Sequence, residues 1–131
     1  AHPYLTTPEH TAMARKILGK EKMLCVEQKI ALTTNKEIAH GAARAAYSHH
    51  ASLPNYRHNW KRLGFTDEDI DLGTDRFMDA VVAWGTTDQI NARLAEHEEA
   101  GATHICIHPL DVGTESSSPS WEALEALAPS N

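Results

Sequence analysis

Cysteine is scarce: the 131 residues hold two, Cys25 and Cys106, and no CxxC spacing. Two distant thiols leave no basis for a disulfide framework, and a reducing cytoplasm is the expected compartment. Basic charge is also short. Twelve Lys and Arg stand against eighteen Asp and Glu, a formal net charge of −6 with the nine His neutral. That disfavours nucleic acid as a partner, because phosphate contacts need a clustered basic surface. No apolar run approaches the roughly 18 residues of a membrane span, and no stretch reads as a signal peptide, so no membrane partner is expected. Glycine-rich phosphate fingerprints, P-loops and Ser/His/Asp arrangements are missing as well, which removes the usual handles on nucleotide and acyl-group chemistry.

What remains has the composition of a folded domain, 41% hydrophobic and 23% charged, in a chain long enough for one core. Helix signals recur along it. Thr7 stands at a cap position with Pro8 and Glu9 after it, and Met13, Ala14, Ile17 and Leu18 form an apolar stripe at helical spacing. A short, mostly apolar strand is predicted over residues 26–33. Asn35 caps the next helix, whose predicted inner face is Ala39, Ala42, Ala43, Ala45 and Ala46. Leu53-Pro54 breaks it, and a short helix follows with Tyr56, Trp60 and Leu63 on one side. Thr66 with Asp69, and Thr86 with Gln89, fit helix starts. Residues 81–84 read as a helix end or a short strand, residues 103–110 as the clearest strand, and a last helix carries Trp121, Leu124 and Leu127.

Helices alternating with strands that look buried predict an α/β fold of parallel units. The two best strands lie too far apart for one crossover, so a helical insertion is expected over residues 53–73, followed by a short strand. Residues 111–120 read as a flexible loop.

Three blocks carry a resemblance. They are Ala1-His2-Pro3-Tyr4-Leu5-Thr6-Thr7-Pro8-Glu9-His10-Thr11, Leu53-Pro54-Asn55-Tyr56-Arg57-His58-Asn59-Trp60-Lys61-Arg62-Leu63-Gly64-Phe65 and Ala100-Gly101-Ala102-Thr103-His104-Ile105-Cys106-Ile107. Together they resemble the C-terminal part of luciferase-like monooxygenase superfamily members, in the deazaflavin (coenzyme F-420)-dependent oxidoreductase branch. The resemblance implies half of a (β/α)8 TIM-type barrel, units five to eight. Residues 1–5 would end the fifth strand, and residues 26–33, 81–84 and 103–110 would be the sixth to eighth. A full barrel takes about 250 residues, so the first four units lie outside this sequence. An isolated half would leave two sheet edges free, and self-association or a chain completing the barrel is expected. The implied activity is hydride transfer between F-420, or alternatively FMN, and a small organic substrate, with the isolated half inactive. The other reading is a non-catalytic half-barrel serving as a structural or assembly domain.

Candidate site residues follow. The loop from Pro3 to Pro8 precedes a helix whose free N–H groups suit phosphate, and Thr6 and Thr7 add hydroxyls. It reads equally as an ordinary cap. The resemblance places cofactor contacts after the fifth strand, which brings in His2 and Tyr4. Gly85-Thr86-Thr87 is a second helix start, read mainly as a cap. His49 and Tyr56 border the insertion near the implied substrate mouth, and His108 lies at the C-terminal end of the last strand. His104, Cys106 and His108 alternate along that strand and share a face. They stand roughly 7 Å apart, wide for one tetrahedral ion, so no metal is expected. They are expected to fill a barrel interior while Ile105 and Ile107 face helices.

Overall fold

A computed structural model describes residues 1–113 and 120–128. Its sheet is built on strand β1 (Cys25–Ala31), flanked by β2 (Val82–Trp84) and β3 (His104–Pro109) in the order β2-β1-β3, all parallel. Cys25 lies opposite His104, and Lys29 lies opposite both His108 and Val82. Backbone groups of β1 alternate between the two sides. Ile30 O accepts from Leu110 N–H on the β3 side, and Ala31 O accepts from Gly85 N–H on the β2 side. Residues 1–4 share the β2 side: Cys25 N–H donates to Ala1 O at 2.9 Å and Glu27 N–H to Pro3 O at 3.1 Å.

The predicted strands therefore exist, but their order differs from that of consecutive barrel units. Residues 82–84, expected between the other two strands, flank β1 on the side opposite β3. A three-residue strand offers too few backbone groups for a second ladder, whereas β3 matches β1 over six positions. Residues 1–4 lie beside the start of β1 through two backbone hydrogen bonds without forming a strand of the sheet.

The connections are helical, as parallel pairing requires. After α1 (Pro8–Leu18) and β1 come α2 (Lys36–Ala51), α3 (Pro54–Arg62), α4 (Asp67–Leu72) and α5 (Asp75–Val81). Then α6 (Thr87–Glu99) joins β2 to β3, and α7 (Trp121–Ala126) follows. The expected loop at 111–120 falls largely outside the described residues. Three predicted starts behave as read. Asn35 Oδ1 accepts from Ile38 N–H, and Thr66 with Asp69 and Thr86 with Gln89 both form reciprocal capping boxes. Gly85 serves the second box: its φ is +125°, and a Cβ there would run into the Gln89 side chain. This Gly85-Thr86-Thr87 start is occupied by its own cap.

One sheet face presents Val26, Gln28 and Ile30 to α6 and α7, where Ile30, Ala83, Ile90 and Ala123 pack with Ile107 and Leu94. The other presents Glu27, Lys29 and Ala31, over which α2 to α5 close a larger core around Tyr47, Trp60 and Phe77. In α2, Ala39 and Ala43 are buried and Ala42 and Ala46 partly so, while Ala45 is exposed. Residues 53–73, expected as a helical insertion, hold α3 and α4, tied by Arg57 to Asp67 and Asp71 and by Lys61 to Asp67.

One expectation about facing is corrected, on β3. In the apolar stripe of α1, Ala14 and Leu18 are half-buried while Met13 is 43% exposed and Ile17 85%. The helix is docked by its polar side, where the Thr11 hydroxyl meets His97 Nδ1 at 2.8 Å and Arg15 Nε donates to Gly101 O at 2.8 Å. On β3, Ile105 and Ile107 are half-buried as expected, but His104, Cys106 and His108 are exposed and fill no interior. Among the described residues no helix is long and apolar enough to cross a membrane.

Candidate functional site

The site begins at a strained turn. Leu5 is buried, with φ +50°, a positive value otherwise confined to glycine among the described residues. Such a backbone costs on the order of 1–3 kcal/mol and persists where its surroundings fix it. Two contacts do so here. Leu5 N–H donates to Glu27 Oε2 at 3.4 Å, and Leu5 O accepts from the indole of Trp60 at 2.9 Å. The turn carries the chain from the edge of β1 into α1, with Tyr4 on one side and Thr6 on the other.

Glu27 and Lys29 are two residues apart on a strand and so share a face. Their side chains are 3% and 2% exposed, and charges so buried must be partnered. Lys29 Nζ has three hydrogens and three acceptors: Tyr4 Oη at 2.7 Å, Glu27 Oε1 at 3.1 Å and His108 Nδ1 at 3.2 Å. It also lies 4.4 Å from the Tyr4 ring centroid. An ammonium can only donate, which makes the Tyr4 oxygen an acceptor toward it. Burial, then the Lys29 charge, pushes the His108 pKa below its ordinary value. His108 Nδ1 also lies 3.3 Å from Glu27 Oε1, so this ring nitrogen faces both members of the buried pair. Tyr4 Oη accepts from Lys29 and keeps its own hydrogen for another acceptor.

Beside Tyr4 lies a cleft of about 230 Å³ between the N-terminal stretch, the start of α1 and α3. His2, Tyr4, Thr6, His10, Tyr56 and the amides Asn55 and Asn59 line it. A second hollow of about 510 Å³ shares His2, Pro3, His10 and Asn59 and continues along the apolar side of α1 past Met13 and Ile17. Two buried polar atoms on the cleft residues have no hydrogen-bond partner, Thr6 Oγ1 and His10 Nδ1. Buried groups of this kind are ordinarily paired. Burial, then the Arg62 charge, pushes the His10 pKa down, so this imidazole is neutral at pH 7.

The structure brings His2, Tyr4, Thr6 and Tyr56 to one cleft and joins Tyr4 to His108 through Lys29. His2 Nδ1 donates to Cys25 O at 2.8 Å. Thr7 does not line the cleft. It is the N-cap of α1, but its side chain makes no capping bond. Its hydroxyl makes no well-aligned hydrogen bond, yet it lies near enough to Glu9 to hold that carboxyl below its ordinary range. His49 is exposed and its ring meets that of His50. Among the described residues no group of His, Cys, Asp or Glu is arranged for a metal ion, His104, Cys106 and His108 included.

Glu27, Lys29 and His10 were not legible as site residues. The signal available was two opposite charges at alternate positions of a strand otherwise reading as buried. Together the cleft offers a hydroxyl, two phenols, two imidazoles and two carboxamides. That set suits an oxygen-rich ligand with a planar ring, and the orphaned Thr6 hydroxyl at the start of an eleven-residue helix fits a phosphate oxygen. In comparisons with known proteins, no family model, curated protein or solved structure matches the chain.

Proposed function

We propose that this chain is the C-terminal part of a luciferase-like oxidoreductase that uses coenzyme F-420, with FMN as the alternative, on a small organic substrate. The observation that carries the reading is the buried, unpartnered Thr6 hydroxyl in a cleft also lined by Tyr4, His2 and Tyr56. When bound, the cofactor supplies or accepts the hydride, and the protein binds, orients and excludes water. In this reading Thr6 and the first N–H groups of α1 hold phosphate. Tyr56 and Tyr4 flank the ring, and Asn55 and Asn59 offer amides to its polar edge. His108 stands on the adjoining strand, tied to Tyr4 through Lys29.

The barrel assignment changes in detail. If residues 104–109 form the last barrel strand, β1 is the one before it and residues 1–4 the one before that; β2 is then an accessory strand. The outer edge of β3 would pair with the remainder of the barrel, supplied by another chain or by self-association. A specific observation favours the second reading, a non-catalytic assembly domain: Met13 and Ile17 are exposed beside the larger hollow, a surface suited to protein contact.

Titration of the chain with F-420 and, separately, with FMN, read by the fluorescence of the ring, tests the choice. Saturable binding of F-420 supports the oxidoreductase reading. Absence of binding by both cofactors contradicts it for this chain and leaves the assembly domain.

A further inference from the structure

We propose that His40 is a proton-operated latch: its doubly protonated ring fastens α5 to α2, and loss of one ring proton releases the start of α5. None of the residues involved lines the cleft at Thr6, so the latch stands whether or not the oxidoreductase reading does.

Lys36, His40 and Arg44 recur every four residues along α2 and so share one side of it. Asp75 and Asp79 are likewise four apart on α5. The two rows face each other. Lys36 Nζ donates to Asp75 Oδ2, and Arg44 Nη2 lies 3.9 Å from Asp75 Oδ1. Between these two cations sits His40, only 2% exposed. Its Nδ1 is 3.1 Å from Asp75 Oδ1 and its Nε2 is 2.8 Å from Asp79 Oδ1. Asp79 Oδ1 also accepts from the Trp84 indole at 2.8 Å, and the His40 and Trp84 rings meet edge-on at 5.6 Å. The contact thereby reaches β2. Glu37 borders the same hollow of about 260 Å³, and Arg93 of α6 donates to the backbone oxygens of Asp79 and Ala80.

An ionised carboxylate only accepts, so a ring nitrogen bonds to it only by donating. Both bonds of His40 therefore exist together only in the imidazolium. The Asp75 carboxyl is held below its ordinary range, by Lys36 first and by His40 as well, which keeps it ionised at neutral pH. Lys and Arg hold their charge there too, whereas histidine is the side chain whose charge changes between about pH 5 and 8. As pH rises, the cationic row on α2 loses its middle charge and keeps the outer two. The neutral ring can donate once. Asp75 retains Lys36 and Arg44, so the ring stays with Asp79 and turns a lone pair towards Asp75. Asp75 is the first residue of α5, and that end of the helix is the one released.

NMR of the ring nitrogens and of the Trp84 indole in the labelled chain tests the latch. At pH 6 both His40 nitrogens are expected to carry protons. Towards pH 8.5 one proton is lost, and the Trp84 indole signal moves with the same midpoint. Hydrogen exchange of the Met78 amide, which donates to Thr74 O at 2.9 Å at the start of α5, reads the release. Its protection, corrected for the intrinsic rate, is expected to fall about tenfold more in the wild type than in His40→Gln over this range. The remaining imidazoles titrate alike in both. A His40 ring with one protonated nitrogen at pH 6, a Trp84 signal that ignores the His40 titration, or equal changes of protection in the two chains overturns the proposal. If His40→Gln proves unfolded, Asp79→Asn takes its place. The ring then faces one carboxylate, and the pH-dependent part of the Met78 protection is expected to shrink; an undiminished response overturns the proposal.

Discussion

Lys29 Nζ donates to the Tyr4 hydroxyl at 2.7 Å while pairing with Glu27 at 3.1 Å, and both charged side chains are almost fully buried. The ammonium is thereby the joint between the N-terminal stretch, the central strand and, through His108, the strand beyond it. Such a pair is costly to break and cheap to replace as a unit, because the penalty lies in the charge left alone. Lys29→Met, which strands Glu27, is expected to lose about 3–5 kcal/mol in urea unfolding. Glu27→Gln with Lys29→Met is expected to fall within about 2 kcal/mol of wild type. Equal losses in the two would remove the joint from the account.

A second buried relay governs the pH response. His97 is fully buried, with Nδ1 accepting from the Thr11 hydroxyl at 2.8 Å and Nε2–H donating to Gln28 Oε1 at 2.9 Å. Burial, then the Arg93 charge, pushes its pKa down from 6.5 to about 4. The folded chain therefore binds the proton less readily than the unfolded chain does. The stability contributed is complete above pH 6.5 and is lost as pH falls from there towards 4. The loss expected across that window is ~2 kcal/mol, below full conversion of the shift because the ring's electrostatic surroundings are not wholly shielded from solvent. Unfolding midpoints at pH 7 and pH 4.5 measure it, and His97→Gln flattens this part of the profile.

The turn at Leu5 depends on Trp60. Trp60→Phe keeps most of the ring packing against Tyr47 and Phe77 but leaves Leu5 O without its 2.9 Å donor. A loss of about 1–3 kcal/mol is expected. Because the turn also places Tyr4 and Thr6, F-420 affinity is expected to fall in the same variant. Unchanged affinity in a destabilised variant would separate the turn from the cleft.

What the sequence made legible was local. The caps at Asn35, Thr66 and Thr86 were readable because donor and acceptor lie within three residues. Helix alternation gave the parallel α/β class for the same reason. The direction of the α1 stripe was not readable. Periodicity marks an apolar side but not what it meets, and the docked side was decided by His97 and Gly101, both 86 residues away from their partners. Strand order was lost for a similar reason: pairing of β1 with β3 is set across some seventy residues. His2, Tyr4, Thr6 and Tyr56 line one cleft, although Tyr56 was read with His49 and apart from the N-terminal loop. Lys29 was hidden inside a strand read as apolar, since its partners Tyr4 and His108 stand 25 and 79 residues off.

The cofactor reading turns on whether F-420 lies in the cleft at Thr6. The direct measurement is NMR of the isotopically labelled chain during F-420 titration, with affinity compared in Thr6→Val. The account predicts that Thr6 and the His10 ring shift together as F-420 saturates, and that Thr6→Val, lacking the hydroxyl, weakens binding about tenfold. Saturable binding that leaves Thr6 and His10 unmoved, with Thr6→Val binding as well as the wild type, would contradict it.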